Sequence, residues 1–170
     1  FDHSYNVIEN EGSELIVLTN DGAPRRRLIS IDVNNPAPAN WKVIIPESEE
    51  VLNSVSLVGG KLYANYLKDA STKIYTYSKE GEKLGEVELP GLGTASGISG
   101  KKEETIAFYS FTSFIYPSTV FKFNTETGES EVYRKSGVDF DPEGYTTEQV
   151  FFNSKDGTRV PMFVVHKKGI

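Results

Sequence analysis

Cysteine is absent from this 170-residue chain, so disulfides and thiolate zinc sites are excluded. Histidine occurs twice, at His3 and His166, near opposite ends. Two such residues cannot by themselves build a histidine metal cluster or supply several acid–base groups. Methionine appears once, at Met162, and tryptophan once, at Trp41. No apolar run approaches the roughly 18–20 residues of a membrane-spanning helix, and no signal peptide is visible. Positive charge is scarce as well. Eighteen basic residues face 24 acidic ones, for a net charge of -6. That balance argues against nucleic acid as a partner, because phosphate contacts need a basic face. Helical periodicity is missing too: no amphipathic window longer than about ten residues survives inspection.

What the chain has is aromatic and β-branched residues in short alternating runs, with ten Phe and nine Tyr. Such side chains fit the pleated surface of a sheet. The runs repeat. Ile29, Tyr75 and Phe121 stand 46 residues apart, as do Ile31, Tyr77 and Phe123, and Leu28, Ile74 and Val120. Ser30, Thr76 and Lys122 fill the polar slots between them. A period of about 40–50 residues built from short strands marks propeller blades. The fold class read from the sequence is therefore all-β: a partial β-propeller of about three four-stranded antiparallel blades. A sandwich also has many short strands, but the fixed step favours the propeller.

Each unit offers four strands. The first has Tyr5–Ile8, Leu15–Thr19, Arg27–Val33 and Trp41–Ile45, broken at Glu11-Gly12, Asn20-Asp21-Gly22 and Asn34-Asn35-Pro36. The second has Val55–Val58, Leu62–Leu67, Lys73–Tyr77 and Leu84–Leu89, with turns at Gly59-Gly60 and Glu80-Gly81. The third has Ala95–Ile98, Thr105–Ser110, Thr119–Asn124 and Ser130–Tyr133. After Tyr133 the register ends. Lys135–Gly144 reads as a polar linker, followed by a hairpin with its turn at Lys155-Asp156-Gly157. The expected organisation is blades over 1–144 (about 1–49, 50–92 and 93–144), then a hairpin over 145–170 that opens a different domain. The chain starts at Phe1 inside a strand-like pattern, and reads as an internal piece of something longer.

Candidate chemistry fails on spacing. Gly97-Ile98-Ser99-Gly100 is half of a nucleophile elbow. Gly91–Gly100 followed by Lys101-Lys102 has Ala95 where a phosphate loop needs its first glycine, and Lys102 where it needs Ser or Thr. Asp139-Phe140-Asp141 with Glu143 is interrupted by Pro142 and has no distal Glu for a calcium loop. Arg25-Arg26-Arg27 is the only basic cluster and reads as an exposed hairpin shoulder. His166 reads as structural, and Phe111-Thr112-Ser113-Phe114 as a packed corner whose hydroxyls tie down backbone. No catalytic, cofactor-binding or metal-ligating residue is assigned, and no cofactor is expected.

Several runs nevertheless resemble the prolyl oligopeptidase (prolyl endopeptidase) family of serine peptidases. They are Asn10-Glu11-Gly12, Thr19-Asn20, Arg27-Leu28-Ile29-Ser30-Ile31-Asp32, Trp41-Lys42-Val43 with Pro46-Glu47, and Phe111-Thr112-Ser113-Phe114. The most specific run is Phe152-Asn153-Ser154-Lys155-Asp156-Gly157-Thr158-Arg159-Val160-Pro161-Met162-Phe163-Val164-Val165-His166-Lys167-Lys168-Gly169. The resemblance implies a seven-bladed parent propeller joined to an α/β-hydrolase domain that cuts short peptides after proline with Ser, Asp and His. It implies that this segment is the last three blades plus the first hydrolase hairpin. The segment would wall and gate the active-site chamber and be inactive alone, since the catalytic Ser-Asp-His are not within it. The implied partners are the remaining blades, the hydrolase domain and short proline-containing peptides, with neither nucleic acid nor membrane. Cytoplasmic and periplasmic locations both fit. The alternative is a propeller-type protein-binding module without a peptidase role. The terminal hairpin argues against it, because a scaffold propeller has no reason to end that way.

Overall fold

The computed structural model describes residues 2–170. Three sheets follow one another along the chain, all antiparallel. The first runs β1 (Tyr5–Glu11), β2 (Glu14–Thr19), β3 (Arg27–Asp32) and β4 (Lys42–Ile45), in that spatial order. The second runs β5 (Val51–Val58), β6 (Lys61–Lys68), β7 (Ser71–Tyr77) and β8 (Lys83–Glu86). The third holds β9 (Thr94–Ala95), β10 (Ser99–Gly100), β11 (Ile106–Thr112), β12 (Thr119–Asn124) and β13 (Ser130–Lys135). A separate hairpin, β14 (Tyr145–Asn153) with β15 (Arg159–Lys167), closes the described chain. The helices among the described residues are single 3-10 turns at Pro38–Asn40 and Pro142–Gly144, and none is long and apolar enough to cross a membrane.

The 46-residue step is the third strand of each sheet. Ile29 pairs Val17, Tyr75 pairs Ala64 and Phe121 pairs Tyr109, each against the strand that precedes it in the chain. Because strand side chains alternate, a middle strand with a neighbour on each side feeds two cores. In β6, Leu62, Ala64 and Tyr66 pack with Ile16, Leu18, Leu28 and Ile45 of the first sheet. The intervening Tyr63 packs with Ile74, Val87, Tyr109, Phe121 and Phe123 on the other side. So the second sheet is sandwiched, with one core on each face. Burying a side chain of this size stabilises by about 1.5–3 kcal/mol, which makes the neighbouring sheet the main source of each sheet's stability. The inner strands converge: Lys102 before β11 lies 3.9 Å from Glu9 of β1, spanning first and third sheets. Sheets stacked face to face around converging inner strands are blades of a propeller.

Close backbone approach fixes the spacing of the blades. Gly59 and Gly60 form the β5–β6 turn with φ of 54° and 73°, and their N–H groups donate to the carbonyls of Lys101 (3.3 Å) and Lys102 (2.9 Å) in the next blade. A Cβ on Gly59 would stand 2.9 Å from the Thr125 Cβ.

Two strands differ from the sequence reading. The third blade's inner strand, expected over Ala95–Ile98, is split into β9 and β10. Ile98 turns into the core between the blades instead of pairing, and the Ala95 backbone is held by the previous blade. Its N–H donates to Thr72 Oγ1 (3.1 Å), and its carbonyl accepts from Asn65 Nδ2 (3.3 Å). The strand expected over Leu84–Leu89 runs over Lys83–Glu86; Val87 still donates its N–H to the Ile74 carbonyl at 2.8 Å while its side chain enters the same core, and Pro90 cannot continue a ladder.

The first blade's free face has its own cover. Tyr5 of β1 and Trp41, just before β4, sit on opposite edges of the sheet, yet their rings are 6.0 Å apart, edge to face. They reach over the face carrying Val17 and Ile29, which are only 2% and 0% exposed. Val7 and Val43, on the same face, remain 58% and 51% exposed.

Candidate interdomain face

One end of the three blades gathers the β2–β3 loop, the β6–β7 turn and the β11–β12 loop. The β14–β15 hairpin lies against this end. Its turn forms as the Asp-Gly signal requires. Gly157 takes φ 83°, and the Thr158 N–H donates to Asp156 Oδ1 at 3.0 Å. That backbone N–H, with side-chain hydrogen bonds from Thr158 and Ser154, holds the Asp156 carboxyl below its ordinary range. The hairpin face turned to the blades carries Gln149, Phe151, Arg159 and Phe163. Gln149 Nε2 donates to the Asp69 carbonyl at 2.6 Å. Arg159 Nη1 is 3.5 Å from Asp69 Oδ1, and its guanidinium covers the Phe151 ring at 3.3 Å. Phe163 meets Phe114 at 5.6 Å.

Phe111-Thr112-Ser113-Phe114 is a packed corner. The Ser113 N–H and the Thr112 hydroxyl both donate to the Tyr116 carbonyl, at 2.9 and 3.2 Å. The corner thereby presents Phe114 to the hairpin. Between it, the linker and the hairpin lies a groove of ≈ 450 Å³ with Tyr116, Pro117, Val138, Phe140 and Tyr145 on its walls. Phe140 stacks on Tyr145 at 5.3 Å, joining linker to hairpin.

The arginine cluster is not a free basic patch. Arg26 adopts φ 71°, and its Nη1 donates to the Asn53 carbonyl at 2.9 Å. The Arg25 carbonyl accepts from the Leu52 N–H at 3.0 Å. The cluster splices the first blade to the inner strand of the second. The remaining motifs fall apart as chemistry. Gly91–Gly100 is divided between a loop, β9 and β10, and Lys101 pairs Glu104 at 2.6 Å. Asp141 caps the 3-10 turn by accepting from the Glu143 N–H at 2.9 Å. His3 lies 3.7 Å from Asp21 and His166 3.8 Å from Glu148, each with its own carboxylate and not with each other. Among the described residues no three His, Asp or Glu side chains converge as a metal site would need. Asp69 and Gln149 were not singled out by sequence reasoning, and Arg159 stood there only inside the run that resembles the family. Ala70 carries no turn signal, and Gln149 is 80 residues from its partner.

Residues 1–136 match the family model of the prolyl oligopeptidase N-terminal β-propeller domain. The whole chain is 44% identical to part of the prolyl endopeptidase of Elizabethkingia meningoseptica, of which it spans 24%. It is 32% identical over 169 residues to the dual function macrocyclase-peptidase POPB of Galerina marginata, covering 96% of this chain and 23% of that protein. Among solved structures, one from a study of two prolyl endopeptidases superposes over the whole chain and 25% of its own, with a TM-score of 0.88 at 44% identity. Apo prolyl oligopeptidase B from Galerina marginata gives 0.88 at 31% identity, over 99% of this chain and 25% of its own. The chain thus spans about a quarter of the relatives it matches, and it belongs to the prolyl oligopeptidase family as part of that family's β-propeller domain.

Proposed function

We propose that the chain is the non-catalytic propeller segment of a serine endopeptidase that cleaves short peptides after proline, and that its blades wall and gate the chamber where cleavage occurs. Residues 1–144 form the blade part, and 145–170 lead into a hydrolase domain. The observation that carries the reading is the hairpin seated on one end of the blades, through Gln149 and Arg159 on Asp69. A domain continuing from it would cover that end. Access would then run between or past the blades, and a narrow path rejects folded protein before any bond is attacked. The experiment is turnover by the full-length enzyme on quenched peptides with a single proline and graded length. Gating requires the rate to fall steeply with length, and requires weakened blade packing (Phe121→Ala) to flatten that fall. Equal rates along the series would overturn it.

A further inference from the structure

Of the three arginines in and beside the β2–β3 loop, two are engaged and one is left over. Arg27 is half-buried, and Arg26 is half-buried with its Nη1 on the Asn53 carbonyl. Arg25 is exposed. Its backbone is clamped on both sides, the N–H donating to Glu47 Oε1 and the carbonyl accepting from the Leu52 N–H. Its guanidinium forms neither an ion pair nor a hydrogen bond among the described residues. Counter-ions are not scarce in this acidic chain: Lys42, Lys68, Lys73, Lys79, Lys101, Lys102 and Lys122 each have a carboxylate. The loop leans inward. Leu52 and Asn53 belong to β5, the inner strand of the second blade, which lies beside β1 and β10 of the blades on either side. Val51 pairs Leu67, so this end of β5 is the one next to Asp69, where the hairpin sits. Arg25 therefore stands at the inner rim of the blades, on the side where the chain continues. The strand is irregular at the same place. Leu52 pairs Tyr66 and Ser54 pairs Asn65, which leaves Asn53 as a bulge without a partner. A bulge re-aims a side chain and is frequent beside functional sites. The Asn53 amide is exposed and makes no side-chain hydrogen bond among the described residues. Arg26 reaches the Asn53 carbonyl from φ 71°, a conformation strained for a bulky side chain. Strain, bulge and clamp together present two unpartnered donor side chains.

We propose that Arg25 and Asn53 anchor the C-terminal carboxylate of a peptide substrate. The planar guanidinium fork matches a carboxylate with two parallel N–H bonds, and the Asn53 amide N–H supplies a further donor. A terminal carboxylate is the anion that every unmodified peptide carries, whatever its sequence. Only a short peptide brings it from the bond being cut to the rim of the blades. The anchor rests on the reading of the parent as a peptidase of short peptides, and adds a charge preference to a steric one. It also gives the arginine cluster a use beyond splicing two blades: the backbone bonds do the splicing and leave the Arg25 side chain over.

The experiment is turnover by the full-length enzyme of two quenched peptides of one sequence. Both carry a single proline and no acidic residue; one ends in a free carboxylate, the other in an amide. The carboxylate peptide should have the higher kcat/KM, by about three- to tenfold, as for a charge-assisted contact that stays partly wet. The difference should lie in KM, because the anchor is remote from the bond being cut and holds substrate and transition state alike. In Arg25→Gln the preference should vanish, through a greater loss on the carboxylate peptide than on the amide. Arg25→Lys keeps the charge without the fork and should retain part of the preference, and Asn53→Ala should lower it in part. In 1 M salt, where charges are screened beyond about 3 Å, the preference of the unmodified enzyme should shrink toward that of Arg25→Gln. The same preference in Arg25→Gln as in the unmodified enzyme would overturn the anchor. So would equal losses on both peptides, which would make Arg25 a contact to the rest of the enzyme. Failure of the unmodified enzyme to cut either peptide after proline would instead overturn the reading on which the anchor rests.

Discussion

Gly81 tests whether blade spacing is set by backbone contact. It lies in the β7–β8 connection with φ 92°, and its N–H donates to the Ser78 carbonyl at 3.1 Å. A Cβ added there would collide with the Ile44 carbonyl oxygen in the first blade and stand 2.8 Å from its carbonyl carbon. Two costs follow for Gly81→Ala. The positive φ costs an L-residue about 1–2 kcal/mol. Forcing the blades apart, or shifting β4, adds about 1–3 kcal/mol, as overpacking does. Gly12→Ala is the control: its φ is 61°, but a Cβ there meets nothing within 4 Å. It bears only the first cost. The difference between the variants therefore isolates the contact between blades. For a chain of this size about 1 kcal/mol shifts Tm by roughly 2–4 °C, so Gly81→Ala should melt about 2–12 °C below Gly12→Ala at one protein concentration. Equal melting temperatures would refute the reasoning, since Ile44 would then have room to yield and the close approach would not set the spacing.

Three further outcomes are expected. Phe121, 6% exposed within the second core, should lose about 3–5 kcal/mol on Phe121→Ala in urea unfolding, whereas Tyr75→Ala should lose less, because Tyr75 is only half-buried, with Lys83 Nζ 3.3 Å over its ring. Burial pushes the Tyr63 phenol up to about 12 from 10, and burial also raises Tyr66. A raised folded pKa gives stability that is complete below pH 10 and is lost as pH climbs from 10 to 12. An alkaline unfolding titration should thus show its transition in that window, and Tyr63→Phe should move it upward. Finally, Tyr5, Val7 and Val43 leave an apolar strip on the outer face of the first blade, so sedimentation of the 170-residue chain over a dilution series should show reversible association, weakened by Val7→Lys with Val43→Lys; a monomer at every concentration would refute that.

Much of the frame was legible because repetition amplifies a weak signal. One run such as Arg27–Asp32 could be a strand of many folds. Three such runs at one step, with matching apolar and polar slots, leave few. The period of two in the third strands β3, β7 and β12 also called for each blade to be covered on both sides, and the second blade, with a core on each face, is. It did not say which neighbour each face would meet. That depended on the closeness of turns such as Gly59-Gly60 to Lys101 and Lys102, which are distant in sequence. The fate of Ala95–Ile98 was hidden for a related reason. Its alternation was real, but Ile98 satisfies it by entering a core and Ala95 by pairing with Thr72 and Asn65 side chains as well as β11. Alternation records burial, not the ladder.

The candidate interdomain face lies where the repeat breaks, and a repeat is blind to its own exceptions. The third-strand step predicts nothing about Pro36–Asn40, the insertion that carries Trp41 to the edge from which it meets Tyr5. Nor does it predict that the Asp69–Ala70 turn would hold a strained alanine, or that Gln149 would find its carbonyl. The family resemblance carried the functional reading instead, through the Ser154-Lys155-Asp156-Gly157 hairpin rather than through any reactive group. The two sources are complementary in physical terms. Regular positions are constrained by packing against neighbouring blades, so their pattern gives architecture. Irregular positions are released from that constraint and can be spent on contacts specific to one end of the molecule. A search for function in a blade repeat therefore begins at residues that the repeat cannot explain: here Arg26 and Asp69, two non-glycine residues at positive φ, which sit in turns at the end of the blades that faces the hairpin.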